Sequence, residues 1–202
     1  MSAKPHRHHP FVLGLTGSIG MGKSAVARMF SELGIPVFDS DAVVHRLQGA
    51  GGKLLGAIEA AFPGTVGPAG VDRAELGRRV FADQAALHRL EAIVHPAIGA
   101  ERAEFLLEHA GKPLVVFDIP LLFEKPGTVQ VDAVLVVSAP VDVQRSRVLS
   151  RPGMSPQRLA AILDLQVPDA EKRARADYVI DTGGSLEQTR EAVAALVKNL
   201  TQ

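Results

Sequence analysis

The chain has 202 residues, 47% hydrophobic and 22% charged, a length that buries its own core as about one domain without staples. Its 22 lysines and arginines balance 22 aspartates and glutamates, which argues against a general nucleic-acid or membrane-surface binder. It holds no cysteine, no tryptophan and one tyrosine, Tyr178, which removes disulfides, thiolate zinc sites, cysteine nucleophiles and stacking of bases on aromatic rings. The opening residues 1–10, with His6, His8 and His9, read as a loose polar tail. The apolar run after the tail is too short for a signal peptide, and no run approaches the roughly 18 residues of a membrane helix, so a cytoplasmic protein is expected.

Residues 11–15 are apolar on both faces, as in a buried parallel strand. A glycine-rich turn follows, then an amphipathic helix over 24–33 closed by Gly34. A second strand over 35–38 ends in Asp39-Ser40-Asp41. Between Asp41 and Lys112 no strand is expected. Helices are expected there over 41–47, 54–62, 73–81 and 84 to about 107, the last bent at His95-Pro96. About seventy residues exceed what one crossover helix needs, so the stretch reads as a helical lobe for a substrate. Further strands are expected over 114–118, 133–137 and 177–181. Ser155-Pro156 marks one helix start, and Ser185 with Gln188 has the capping-box spacing of another that runs to about Leu200. Strands alternating with helix-length segments give an α/β fold: a five-stranded parallel sheet flanked by helices.

Gly17-Ser18-Ile19-Gly20-Met21-Gly22-Lys23-Ser24 matches G-x-x-x-x-G-K-[ST] at every defined position, directly after a strand and opening a helix. Glycines allow successive backbone N–H groups to turn toward one anion, and the following helix presents its positive end to it. Lys23 reaches the β- and γ-phosphates as a point charge, and the Ser24 hydroxyl suits Mg²⁺. This points to a nucleoside triphosphate but not to its use.

Three uses compete. A guanine-nucleotide switch needs Asn-Lys-x-Asp, and the one asparagine, Asn199, lacks that context. An ATPase module usually ends an apolar strand in an acidic pair, whereas residues 114–118 end in Asp118 alone, before Ile119-Pro120. A kinase needs an acceptor site and a closure against water. Asp39 and Asp41 sit at the carboxyl edge of the sheet, where a carboxylate can orient an attacking hydroxyl or take its proton; they can equally cap the next helix. Between Arg145 and Arg175, seven cations (Arg145, Arg147, Arg151, Arg158, Lys172, Arg173, Arg175) face three carboxylates. Arg147 and Arg151, four residues apart, are expected on one helix face, as in a lid that closes over a γ-phosphate; the alternative is a solvated face.

Taken together, these residues resemble the dephospho-CoA kinase family over Val12 to about Gln188. The resemblance rests on residues 15–24, on Asp39-Ser40-Asp41 with His45, on Val94-His95-Pro96 and on residues 118–124. It also rests on Gln144-x-x-Arg147-x-x-x-Arg151, Gln166, Glu171-Lys172-Arg173 and residues 176–181. It implies a single P-loop kinase domain over 11–202, with a helical substrate lobe at about 41–112 and a lid at about 147–166. The implied reaction is ATP-dependent phosphorylation of the ribose 3′-hydroxyl of dephospho-CoA, the last step toward coenzyme A. A nucleoside or nucleotide kinase, or a non-catalytic ATP-binding module, stands as the alternative. The implied ATP-binding residues are Gly17, Gly20, Met21, Gly22, Lys23, Ser24, Ala25, Arg147 and Arg151. Lys23, Asp41 and Arg147 are implied in catalysis, with Asp41 as the base; Asp41, His95 and Leu121 in substrate binding; and Ser24 in holding Mg²⁺. His45 reads as a plain helix residue. The expected partner is a small molecule, with no nucleic-acid polymer and no membrane, and the chain a monomer or weak homo-oligomer.

Overall fold

The computed structural model describes residues 9–81, 83–124 and 129–202. Most of the expected loose tail, residues 1–8, lies outside the described residues. In chain order the elements begin with β1 (Phe11–Thr16), α1 (Lys23–Glu32), β2 (Val37–Asp39), α2 (Ser40–Gln48), α3 (Leu55–Ala61), β3 (Val66–Gly67), β4 (Gly70–Val71), α4 (Arg73–Phe81) and α5 (Gln84–Glu108). They continue with β5 (Leu114–Asp118), β6 (Ala133–Ser138), α6 (Val141–Leu149), α7 (Pro156–Asp164), α8 (Asp169–Ala174), β7 (Tyr178–Asp181) and α9 (Leu186–Thr201). They fall into two compact units, Met1–Phe38 with His109–Gln202, and Asp39–Glu108.

The first unit is built on a five-stranded sheet of order β2-β5-β1-β6-β7. β1 pairs in parallel with β5 on one side and β6 on the other, Leu13 standing opposite both Val116 and Ala133. Strands hydrogen-bonded on both edges and covered on both faces must be apolar throughout. Leu13, Leu15, Val115, Val116, Leu135 and Val137 are accordingly sealed from solvent. Phe30 of α1 and Val193 of α9 close one face of the same core, and Phe38 packs on Phe117 with ring centroids 5.5 Å apart. The chain leaves β1 toward the β2 edge and later passes from β5 across to β6. The order therefore reverses at β1, and the loop after its carboxyl end opens where ligands of such sheets bind.

The second unit is helical, with α2, α3 and α4 packed on α5. The expectation of no strand there is corrected: Val66 pairs with Val71 and Gly67 with Gly70 in a small antiparallel hairpin. Two-residue strands around Pro68-Ala69 are too short to display a period-two pattern. Gly70 is required, since its φ is +104° and a Cβ there would sit 2.3 Å from the Gln48 carbonyl oxygen. The Glu59 carboxylate holds the hairpin's entry by accepting from the backbone of Gly64 (2.7 Å) and Val66 (3.1 Å). α5 runs through Pro96, with Val94 and Ile98 buried and His95 exposed. Among the described residues, no helix is long and apolar enough to cross a membrane.

Candidate active site

The loop from Gly17 to Gly22 is shaped by close approach. A Cβ on Gly17 would lie 2.6 Å from Val137 Cγ2 and 2.8 Å from the Val137 oxygen, so only glycine lets the loop lie against β6. Gly20 and Gly22 take φ of 80° and 82°, and among the described residues no non-glycine residue has positive φ. Met21 pins the loop. Its side chain is buried and its sulfur accepts from the Ala139 amide at 3.1 Å. Its backbone N–H donates to Ser18 (3.1 Å) and its carbonyl accepts from the Thr182 hydroxyl (2.9 Å).

α1 then begins at Lys23 with Gly22 as its cap, which offers no side chain to the orphan N–H groups, and no acid stands in its first turn. The helix start is thus positive and open to an anion. The exposed Ser24 hydroxyl lies on this first turn, while the Ala25 amide is already spent on Gly22 O at 3.0 Å. Lys23 pairs with Asp118 at the carboxyl end of β5, and both side chains are largely buried. The charge of Lys23 is therefore balanced by a neighbouring carboxylate. Asp118 reads in the sequence only as a lone acid ending an apolar strand, and no sequence signal links it to Lys23, 95 residues away.

Arg147 points back toward the loop. Its guanidinium donates to Thr182 O (2.6 Å) and Thr182 Oγ1 (3.2 Å), the same threonine that binds Met21. Arg151 does not share its helix face. α6 stops at Leu149 with Ser150 as its cap, and Arg151 sits exposed in the turn beyond. Pro152 explains the stop, because the residue before a proline is pushed out of helical conformation. Several cations of the cluster are committed within the protein. Lys172 is fully buried beside Glu124, Arg175 lies 4.5 Å over the Phe123 ring, and Arg158 donates to Gly153 O. Leu121, on the segment after β5, is 42% exposed.

In the second unit, Asp39 caps α2 by accepting from the Ala42 amide at 2.9 Å, and Asp41 stands exposed in the first turn of that helix. His45 accepts from Arg73 at 2.7 Å. Glu101 of α5 accepts from Arg46 (2.5 Å) and Lys53 (3.1 Å). The Arg46 hydrogen bond, then that of Lys53, holds its carboxyl below the usual carboxylate range. Among the described residues, no group of three or more histidines and carboxylates is placed to hold a metal ion.

A family model described as Dephospho-CoA kinase matches residues 11–188. The chain belongs to the dephospho-CoA kinase family. A Dephospho-CoA kinase of Novosphingobium aromaticivorans is 67% identical over 193 residues, 96% of each chain. One of Mesorhizobium japonicum is 58% identical over 191 residues, 94% of this chain and 96% of its own. The crystal structure of TT1252 from Thermus thermophilus superposes with a TM-score of 0.83 at 38% identity, over 96% of this chain and 100% of that one. The fold is also that of dephospho-CoA kinase from Campylobacter jejuni (TM-score 0.63, 23% identity, 94% of this chain and 97% of that one). Family membership makes the chain an ATP-using kinase of coenzyme A biosynthesis on the P-loop kinase fold.

Proposed function

We propose that the Gly17–Ser24 loop holds the phosphates of ATP while the ribose 3′-hydroxyl of dephospho-CoA attacks the γ-phosphorus. A new O–P bond forms, the bond between the γ-phosphorus and the bridging oxygen breaks, ADP leaves, and the hydroxyl proton passes to Asp41. Lys23 turns from Asp118 to the transferring group, and the open start of α1 spreads the remaining charge. Gly17, Gly20, Met21 and Gly22 shape the loop around the β-phosphate, with Ala25 in the first turn of α1 behind it; Arg147 and Arg151 belong to the nucleotide side. His95 and Leu121 are assigned to the acceptor. Mg²⁺ fits the donor chemistry here: Ser24 would hold it through its exposed hydroxyl oxygen together with bound phosphates, and among the described residues no cage of carboxylates competes for it. When bound it neutralises phosphate charge.

The observation that carries the reading is Lys23 at an uncapped helix start, its charge held by Asp118 at the neighbouring strand end. Asp41 is favoured as the base because Asp39 already spends its carboxylate on the cap of α2, and Asp41 is exposed two residues further on. The reading further places the enzyme in the cytoplasm, as a monomer or weak homo-oligomer, with a helical lobe at about 41–112 for the acceptor and a lid at about 147–166.

A coupled assay of ADP release tests it. Dephospho-CoA should stimulate release and nucleosides should not; the reverse would make the chain a nucleoside kinase. Asp41→Asn should lower kcat by about a hundredfold or more, the scale of general-base catalysis. A rise in KM for dephospho-CoA alone would make Asp41 a binding residue.

A further inference from the structure

The phosphate-loop mechanism makes no use of Ile19, yet its peptide is gripped from both sides. Gln166 Oε1 accepts from the Ile19 amide at 3.1 Å, across 147 residues of chain. Gln144 Nε2 donates to the Ile19 carbonyl at 2.7 Å, across 125 residues. Gln144 is 5% exposed and lies on α6; Gln166 lies between α7 and α8. Both side chains thus reach the loop from separate elements.

The Gln166 side has its own support. The next residue, Val167, donates its amide to Glu124 Oε1 at 3.0 Å. The same oxygen lies 2.7 Å from Lys172 Nζ, and the lysine is fully buried. A fully buried ammonium is costly unless a carboxylate compensates it, and removal of either partner strands the other charge. This pair therefore resists loss, and it fixes the backbone from which Gln166 reaches Ile19.

We infer that Gln166 and Gln144 are positioning residues that hold the Ile19 peptide so that the phosphate loop is shaped before nucleotide arrives. An unheld loop between Gly17 and Gly20 has to be ordered at the moment of binding, and that conformational cost is subtracted from affinity. The hydrogen bonds do not touch the transferring phosphoryl group, so the cost falls on nucleotide binding and not on the chemical step. The inference rests on the loop being the phosphate site, but not on which alcohol accepts the phosphoryl group.

The test uses the full chain with Gln166→Leu, which keeps volume and removes the acceptor, and Gln166→Glu, which keeps an acceptor oxygen. Hydrogen exchange at the Ile19 amide is read without nucleotide, and ADP affinity by titration. Gln166→Leu should speed Ile19 exchange by about tenfold and leave the amides of β1 unchanged. It should weaken ADP and raise KM for ATP by about fivefold, the scale of one neutral hydrogen bond. Its kcat, its KM for dephospho-CoA and its melting temperature should stay near those of the parent. Gln166→Glu should keep the Ile19 amide protected. Unchanged exchange and ADP affinity in Gln166→Leu would overturn the inference. So would a parallel rise in both KM values with a lowered melting temperature, which is the mark of a merely structural residue. A preparation that binds ADP as expected but fails to phosphorylate dephospho-CoA would count against the proposed acceptor and leave the loop inference standing.

Discussion

Lys23 joins the ion pair with Asp118 to its proposed role at the phosphates, and the two separate on substitution. Its ammonium neutralises Asp118 in the free protein, and both side chains are largely buried. Lys23→Ala should therefore cost stability as well as turnover, since a mostly buried carboxylate loses its cation. Lys23→Arg retains the charge but not the compact point-charge geometry. The expected outcome is a kcat loss of at least about a hundredfold in both variants, the scale seen when one charge-stabilising group is removed from a reacting centre. The melting temperature should fall in the alanine variant and be largely restored in the arginine variant. Near-normal kcat in Lys23→Arg would show that any cation suffices there.

At the scale of elements, α2 joins its cap to its first-turn carboxylate. Asp39 satisfies one of the free amides of the helix, an interaction worth about 1 kcal/mol, and so fixes the turn that carries Asp41. Further along α2, Arg46 reaches Glu101 on α5 beside Lys53, joining helices far apart in sequence. Arg46 and Lys53 lower the Glu101 pKa in the folded protein. The stabilisation is thus complete above the unfolded pKa and is lost as pH falls through the folded one. In thermal melts, Glu101→Gln should be less stable than the parent at neutral pH, and the gap should close below about pH 4, where the unfolded carboxylate titrates. A gap independent of pH would remove the ion pairs as its cause.

At the scale of the whole molecule, the sequence carries the sheet more clearly than the site's wiring. Residues 114–117 are apolar on both faces because β5 is covered on both, and the bounds of the strand, closed by Asp118, are visible without coordinates. The loop was equally legible, since its glycines answer local demands such as the Gly17 contact with Val137. The hairpin at 66–71 was missed because two-residue strands have no periodicity. Arg151 is four residues from Arg147, but the turn that Arg151-Pro152-Gly153 marks begins before Arg151, because α6 already ends at Leu149. Lys172 sits in a run of cations that reads as surface, yet it is buried. Only the fold brings it to Glu124, 48 positions earlier in the chain. The two glutamines that hold Ile19 lack any sequence signal of contact, because each bond spans more than a hundred residues.

The central claim is that this loop holds ATP so that one particular hydroxyl takes its last phosphoryl group. Transfer of label from γ-³²P ATP to dephospho-CoA, beside an analogue with hydrogen in place of the ribose 3′-hydroxyl, measures it most directly. Label should appear on dephospho-CoA, at the 3′ oxygen, and be absent from the analogue. Label on the analogue, or none on either acceptor while the loop binds ATP, would contradict the account.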